Sequence, residues 1–125
     1  MDPNIGIDIV EISRIRRLVD RYGERFLTKI FTPAEIATCF ARARPAESLA
    51  ARFAAKEAFA KAWSEPEMPG WHDVEVVMDG EKPAFHLRGI AAGHRTRLSL
   101  SHTHQFAVAV AWIEKAGAPP SGAER

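Results

Sequence analysis

The middle of the chain contains the run Phe53-Ala54-Ala55-Lys56-Glu57-Ala58-Phe59-Ala60-Lys61. It lies within an alanine-rich stretch, about residues 46–63, whose larger apolar residues recur at helical spacing. Alanine has the highest helix propensity, so this stretch predicts the longest helix of the fold. The helix begins after Arg44-Pro45, because a residue that precedes proline avoids the helical backbone region.

One strand and two shorter helices are predicted before this helix. Residues 5–12 alternate as a strand does, with Ile5, Ile7 and Ile9 on one face and Gly6, Asp8 and Val10 on the other. From Ser13 to Tyr22 the apolar spacing is that of an amphipathic helix, which Gly23 can end. Thr32-Pro33-Ala34-Glu35 has the pattern of a capping box and predicts a short helix to about Ala43.

The second half of the chain predicts β-structure. Residues 64–71 contain prolines and a glycine and indicate a loop. Alternating apolar residues on either side of Asp79-Gly80 predict one hairpin, and those on either side of Thr103-His104 predict a second. We therefore expect an α+β fold with a small antiparallel sheet packed against the long helix. It forms a single domain over residues 1–115, followed by a disordered tail at 116–125.

Composition excludes several classes of function. The formal net charge is +1, so no global charge attracts nucleic acid or an anionic membrane. Cys39 is the only cysteine, which excludes an internal disulfide and a Cys-based zinc site. The longest apolar run has far fewer than the roughly 20 residues that a membrane helix needs. With acidic residues near its start instead of a secretory signal, the chain is expected to be a soluble cytoplasmic protein.

Two carboxylates stand in unusually apolar surroundings. Asp8 lies on the otherwise apolar strand, and a buried charge without a partner is costly. Its partner could be a lysine, a backbone group, or a metal ion shared with Glu57. Mg²⁺ is often held by one or two protein carboxylates, with phosphate oxygens and water completing its shell, and Lys61 could then meet the phosphates. By itself, Glu57 is better explained as one partner of an exposed ion pair with Lys61 one turn away.

Other polar residues have both a structural and a functional interpretation. His102 ends the predicted strand Leu98-Ser99-Leu100-Ser101-His102, and most such histidines are structural. Arg14, Arg17 and Arg21 share one edge of the first helix. Such a run is usually a solvated face, although it could also dock an acidic protein.

Three segments taken together resemble one family. They are Gly6-Ile7-Asp8-Ile9-Val10-Glu11-Ile12, then Arg52-Phe53-Ala54-Ala55-Lys56-Glu57-Ala58 with Lys61-Ala62, and Ser99-Leu100-Ser101-His102. In this order and spacing, over about residues 4–114, the chain is similar to the holo-acyl-carrier-protein synthases. These are the small, single-domain type of 4′-phosphopantetheinyl transferase.

The resemblance implies a reaction and a set of roles. The family transfers the phosphopantetheine arm of coenzyme A to a serine of an acyl carrier protein and releases adenosine 3′,5′-bisphosphate. It implies a homotrimer with active sites between subunits. By resemblance, Asp8 and Glu57 bind Mg²⁺ and, with Lys61, form the catalytic set. The resemblance also implies that Lys61, Ser101, His102 and Arg52 contact coenzyme A. It implies that Arg14 and Arg21 dock the carrier protein.

The chain departs from the family pattern at three places. Thr103 stands where many members have aspartate, Trp63-Ser64-Glu65-Pro66 replaces a glycine-containing turn, and Gly80-Glu81-Lys82-Pro83 is one residue longer than the usual turn. Two other functions use similar residues. A Mg²⁺-dependent nuclease would need a broad basic surface, which the near-neutral charge disfavours. A non-enzymatic trimeric scaffold with a basic helix would leave Asp8 unexplained.

Overall fold

A computed structural model describes residues 3–115. Along the chain these form β1 (Asn4–Glu11), α1 (Ile12–Tyr22), α2 (Glu24–Ile30), α3 (Pro33–Phe40), α4 (Pro45–Ala62), β2 (Val74–Asp79), β3 (Lys82–Leu87), β4 (Arg95–His102) and β5 (Phe106–Glu114). Single 3₁₀ turns lie at Trp71–Asp73 and Gly89–Ala91. The predicted α+β class is confirmed, and the predicted disordered tail lies outside the described residues. Within residues 3–115, no helix combines the length and apolarity that a bilayer crossing requires.

The helical part differs from the prediction in two details. The structure has an additional short helix, α2, directly after Gly23, whose φ of 54° ends α1 and redirects the chain. The capping box at Thr32 and Glu35 is present as predicted, but α3 ends at Phe40, before the predicted Ala43. The long helix begins at Pro45 and ends at Ala62, one residue from each predicted bound.

The strands form two separate antiparallel groups. One sheet has the order β1-β5-β4, and β2 pairs with β3 in a hairpin. The central strand β5 places Ala107, Ala109 and Ala111 on the face that α4 covers, and all three are fully buried. Because alanine side chains are short, α4 packs closely against this face of the sheet. The arrangement places the inner face of β1, including Asp8, directly against α4.

The opposite face of the sheet is uncovered within the described part of the chain. Ile5, Ile7 and Ile9 on β1 are 68%, 58% and 62% exposed. They lie beside Trp112, Val110 and Val108 of the neighbouring strand β5. We call these six residues the outer apolar face. Contiguous apolar surface of this kind marks an interaction site in a soluble domain.

Candidate active site

Asp8 meets the long helix at Lys61. The Asp8 side chain is 13% exposed and its Oδ1 lies 3.1 Å from Lys61 Nζ. The same ammonium donates a hydrogen bond to the Ile7 carbonyl oxygen at 3.0 Å. Lys61 is therefore the charge partner that Asp8 needs within the chain. Since the Lys61 side chain is more than half exposed, its ammonium is also available to a ligand outside the fold.

Glu57 lies one helical turn before Lys61, on the same side of α4. Burial raises the pKa of the Glu57 carboxyl, and the charge of Asp8 raises it further. The charges of Arg14 and Lys61 act in the opposite direction. Asp8 is thus close enough to Glu57 for its charge to oppose the ionisation of the Glu57 carboxyl. A cation bound between two such carboxylates would offset their repulsion and would favour the ionised form of both.

The donors present fit a magnesium ion better than a zinc ion. Among residues 3–115, no group of three or more His, Cys, Asp or Glu side chains is arranged to hold a metal. Asp8 and Glu57 supply two hard oxygen ligands, which leaves coordination positions for phosphate oxygens and water. Mg²⁺ favours such incomplete protein shells, whereas structural zinc sites use four protein ligands.

A groove of about 280 Å³ opens beside Glu57. Its wall is mostly apolar and is formed by Phe59, Ala60, Met68, Pro69, Trp71 and Val74, with Lys56 and Glu57 as its charged residues. One side of the groove is α4 and the other is the loop that follows it. Sequence reasoning identified this loop but not the groove. The sequence indicates the groove only through Met68, a large apolar residue between prolines in a loop, which the structure shows to be exposed.

Arg14 connects the basic edge of α1 to this site. Its guanidinium lies over the Phe53 ring, 5.6 Å from the ring centroid. The charge of Arg14 also lowers the pKa of Glu57, which places the two side chains near one another. Arg14, Arg17 and Arg21 line a shallow open concavity together with Leu18 and Tyr22. A surface with three arginines and one carboxylate, Asp20, therefore lies next to Glu57.

His102 lies in a different cluster within the chain. His102 Nδ1 and His104 Nδ1 are 3.6 Å and 3.2 Å from the carboxylate oxygens of Glu47. Glu47 is in the first turn of α4, about 15 Å along the helix axis from Glu57. The structure does not bring His102 to Asp8 and Glu57 in one chain. Ser101 alternates to the other face of β4, opposite Val108. Sequence reasoning missed Glu47 and gave no role to His104.

The structure does not bring Arg52 to the site. Arg52 is only 3% exposed, and its guanidinium donates a hydrogen bond to the Ser48 carbonyl oxygen at 3.4 Å. It also lies beside Cys39, whose thiol pKa is raised chiefly by burial. The predicted contact between Arg52 and coenzyme A needs an exposed guanidinium, so the geometry gives it no support.

Known proteins are similar to this chain in sequence and in fold. Residues 4–111 match the model of the 4′-phosphopantetheinyl transferase superfamily. The holo-[acyl-carrier-protein] synthases of Chloroherpeton thalassium and Thermus thermophilus are 48% and 45% identical to the chain. Each alignment covers 88% of this chain, with 96% and 91% of the respective relative.

Solved structures agree with this assignment. The synthase of Neisseria meningitidis matches with a TM-score of 0.78 at 35% identity, covering 90% of this chain and 98% of that one. The ACPS–CoA complex of Chronobacterium ammoniagenes matches with a TM-score of 0.77 at 30% identity, covering 90% and 97%. The chain therefore belongs to the 4′-phosphopantetheinyl transferase superfamily and, within it, to the holo-[acyl-carrier-protein] synthases.

Proposed function

We propose that the chain transfers the 4′-phosphopantetheine arm of coenzyme A to a serine of an apo-acyl carrier protein in a Mg²⁺-dependent reaction. The observation that carries this proposal is the meeting of Asp8 from β1 with Glu57 and Lys61 from α4. Two neighbouring carboxylates could bind a divalent cation, and the exposed ammonium of Lys61 could bind the phosphates that accompany it. The sequence relatives and the coenzyme A complexes of similar structures support the choice of substrates.

The roles of the residues follow from their positions. Asp8 and Glu57 would hold Mg²⁺, and the bound ion would supply positive charge against the pyrophosphate of coenzyme A. Lys61 can exchange its contact with Asp8 for one with a phosphate oxygen. Such groups act by positioning and by stabilising the charge of the transition state. Glu57 is our candidate for the group that accepts the serine proton, because its carboxylate lines the groove in which the pantetheine arm would lie.

The reaction is a displacement at phosphorus. The carrier serine oxygen forms a bond to the β-phosphorus of coenzyme A, and the bond from that phosphorus to the bridging oxygen breaks. Adenosine 3′,5′-bisphosphate leaves with the bridging oxygen, and the serine proton passes to Glu57. The groove beside Glu57 is of a suitable size and polarity for the uncharged part of the pantetheine arm.

We propose that the active assembly is a homotrimer with sites between subunits. The outer apolar face leaves three isoleucines of β1 mostly exposed, which a neighbouring copy would cover. Within one chain, Ser101 lies on the opposite face of the sheet from Asp8, and His102 lies with Glu47. A site between subunits allows Ser101 and His102 of one copy to contact coenzyme A that is bound at Asp8 and Glu57 of another.

Arg14 and Arg21 are proposed to dock the carrier protein. Their concavity adjoins Glu57, so an acidic helix bound there would present its serine near the carboxylates. The lone thiol, Cys39, is fully buried and needs no oxidising environment, which is compatible with action in the cytoplasm.

A single incubation tests the activity. The purified protein is mixed with MgCl₂, coenzyme A and an apo-acyl carrier protein, and the carrier is then weighed by intact mass spectrometry. We expect the carrier to gain the mass of one phosphopantetheine group, only when Mg²⁺ is present and only when the carrier serine is intact. A carrier of unchanged mass, with Mg²⁺-dependent cleavage of DNA in a parallel reaction, would favour the nuclease instead.

A further inference from the structure

The loop that forms the outer wall of the groove has little regular structure of its own. Between the end of α4 and the start of β2 the chain makes only the 3₁₀ turn Trp71–Asp73. Pro66, Pro69 and Gly70 in this loop do not favour a helix or a strand. The distance between this wall and Glu57 must therefore be set by contacts with the rest of the fold.

One buried ammonium makes two of these contacts, both with residues that line the groove. Lys56 Nζ donates hydrogen bonds to the carbonyl oxygens of Trp71, at 2.9 Å, and Val74, at 3.0 Å. It also lies 2.8 Å from Glu35 Oε1, and the Lys56 side chain is 1% exposed. An ammonium has three protons, and each of them has an acceptor. Trp71 and Val74 both line the groove, so the two carbonyl contacts act directly on its wall.

Glu35 in turn holds Lys56 in place. Its Oε1 accepts a hydrogen bond from the Thr32 backbone nitrogen at 2.9 Å, and its Oε2 accepts one from Val76 at 2.7 Å. The carboxylate therefore joins the start of α3 to β2, and Lys56 extends this connection to α4. Every oxygen of Glu35 and every proton of Lys56 has a partner, which is the condition under which a buried ion pair keeps a defined geometry.

Lys56 precedes Glu57 directly on α4. Consecutive residues of a helix point in directions about 100° apart, so Lys56 faces inward while Glu57 faces the groove opening. Both side chains line the groove. A movement of the wall away from Lys56 would widen the groove beside Glu57.

We propose that Lys56 is a positioning residue that fixes the groove wall at Trp71 and Val74 relative to Glu57. It thereby controls how tightly the arm of coenzyme A is bound. The inference rests on the proposed function only for the identity of the ligand. The alternative is that the Lys56–Glu35 pair stabilises the core and has no separate effect on the groove.

Two variants distinguish these roles. Lys56→Met alone would leave Glu35 charged and unpaired in the core, so the test uses Lys56→Met/Glu35→Gln, which removes both charges. The control is Glu35→Gln alone, which also disrupts the ion pair but keeps the ammonium contacts with Trp71 and Val74. A cooperative thermal transition in each variant would establish that the variant folds. Its melting temperature would then measure how much stability it has lost.

We expect amide hydrogen exchange at residues 68–74 to be about tenfold faster in the double variant, because two buried carbonyl groups lose their donor. Exchange in β4 and β5 should be unchanged. The KM for coenzyme A should rise about tenfold, while kcat and the KM for the carrier change by less than about twofold. Glu35→Gln should leave exchange at residues 68–74 and the KM for coenzyme A within about twofold of the wild type, because the Lys56 ammonium keeps its two carbonyl acceptors.

Equal changes at residues 68–74 in the two variants, or unchanged exchange there in the double variant, would overturn the proposal. If the wild-type protein transfers nothing, the proposed function fails separately. The role of Lys56 is then judged from exchange and from calorimetric binding of coenzyme A, neither of which requires turnover.

Discussion

Gly6 of β1 lies directly against Ala58 of α4. A Cβ atom at residue 6 would overlap the Ala58 carbonyl oxygen and would lie 2.9 Å from the Ala62 backbone nitrogen. The strand and the helix can approach this closely only because residue 6 has no side chain. Asp8 follows two residues later on the same face of β1, so the contact also brings Asp8 to Lys61 and Glu57.

Gly6→Ala should destabilise the protein and weaken the site together. We expect a loss of about 1–3 kcal/mol in the free energy of unfolding, as for other overpacked contacts. Gly70→Ala is the matched control, because its Cβ would meet only Asp73 Oδ2 at an ordinary 3.7 Å. Urea denaturation measures both variants. Equal stability of Gly6→Ala and wild type would show that the backbone contact has little importance.

Asp8→Asn and Glu57→Gln should each abolish Mg²⁺-dependent transfer while the fold is retained. We expect kcat to fall by about a hundredfold or more, the scale on which a lost electrostatic contact to a transition state acts. Calorimetry should show weaker Mg²⁺ binding in both variants. Glu81→Gln, in the exposed turn between β2 and β3, is the control. Full activity in either site variant would exclude the metal assignment.

Arg14→Ala should raise the KM for the carrier protein several-fold at low salt. The difference should shrink as salt increases, because charges further apart than about 10 Å are screened at 0.1 M ionic strength. Steady-state kinetics at several salt concentrations measures this effect. Arg25→Ala, on the exposed surface of α2, serves as the control variant. An Arg14→Ala protein with an unchanged KM at low salt would rule out docking at α1.

Ile7→Glu should dissociate the proposed trimer. A carboxylate in the middle of the outer apolar face would be buried without a partner in any assembly that covers this face. Light scattering coupled to gel filtration should give the mass of a trimer for the wild type and of a monomer for the variant. Ile90→Glu adds the same charge at an apolar residue that is also exposed but lies away from the sheet. A monomeric wild type would refute the proposed assembly.

Glu47 should make stability dependent on pH in the acidic range. The hydrogen bond from His104 lowers the pKa of Glu47, and burial raises it by a smaller amount. The charges of Arg44, His102 and His104 lower this pKa further. The unfolded chain then binds more protons than the folded one between the two pKa values, so stability rises with pH there. The contribution of Glu47 is complete above the unfolded pKa of about 4.3 and is lost as pH falls through the lower folded value.

Urea denaturation between about pH 3 and pH 7 tests this expectation. The stability difference between wild type and Glu47→Gln should be constant between about pH 5 and pH 6 and should shrink at lower pH. Glu81→Gln, which changes a carboxylate in an exposed turn, corrects for the general effect of removing one acid. A difference that grows as the pH falls would contradict the lowered pKa of Glu47.

Most local elements of the fold could be predicted from the sequence. The alternation of residues 5–12, the capping box at Thr32 and the alanine-rich run each have a short-range physical cause, and each predicted element is present. The exception is α2, whose seven residues are too few for a clear helical pattern. The pairing of β1 with β5 joins opposite ends of the chain, and no periodicity specifies such a partner.

The sequence by itself determined the elements and the residue types that carry the chemistry: a carboxylate on an apolar strand, and a carboxylate and a lysine one turn apart on a helix. Only the tertiary structure decided which of these groups meet. Asp8 and Lys61 are separated by 53 positions, and His102 lies with Glu47 instead of with Glu57. Almost every side of α4 is covered by the rest of the fold, and this covering buries Lys56. A helix buried on nearly all sides has no clear polar and apolar faces, so the sequence pattern did not indicate that Lys56 is buried. Contacts between distant segments depend on packing, which a local pattern does not encode.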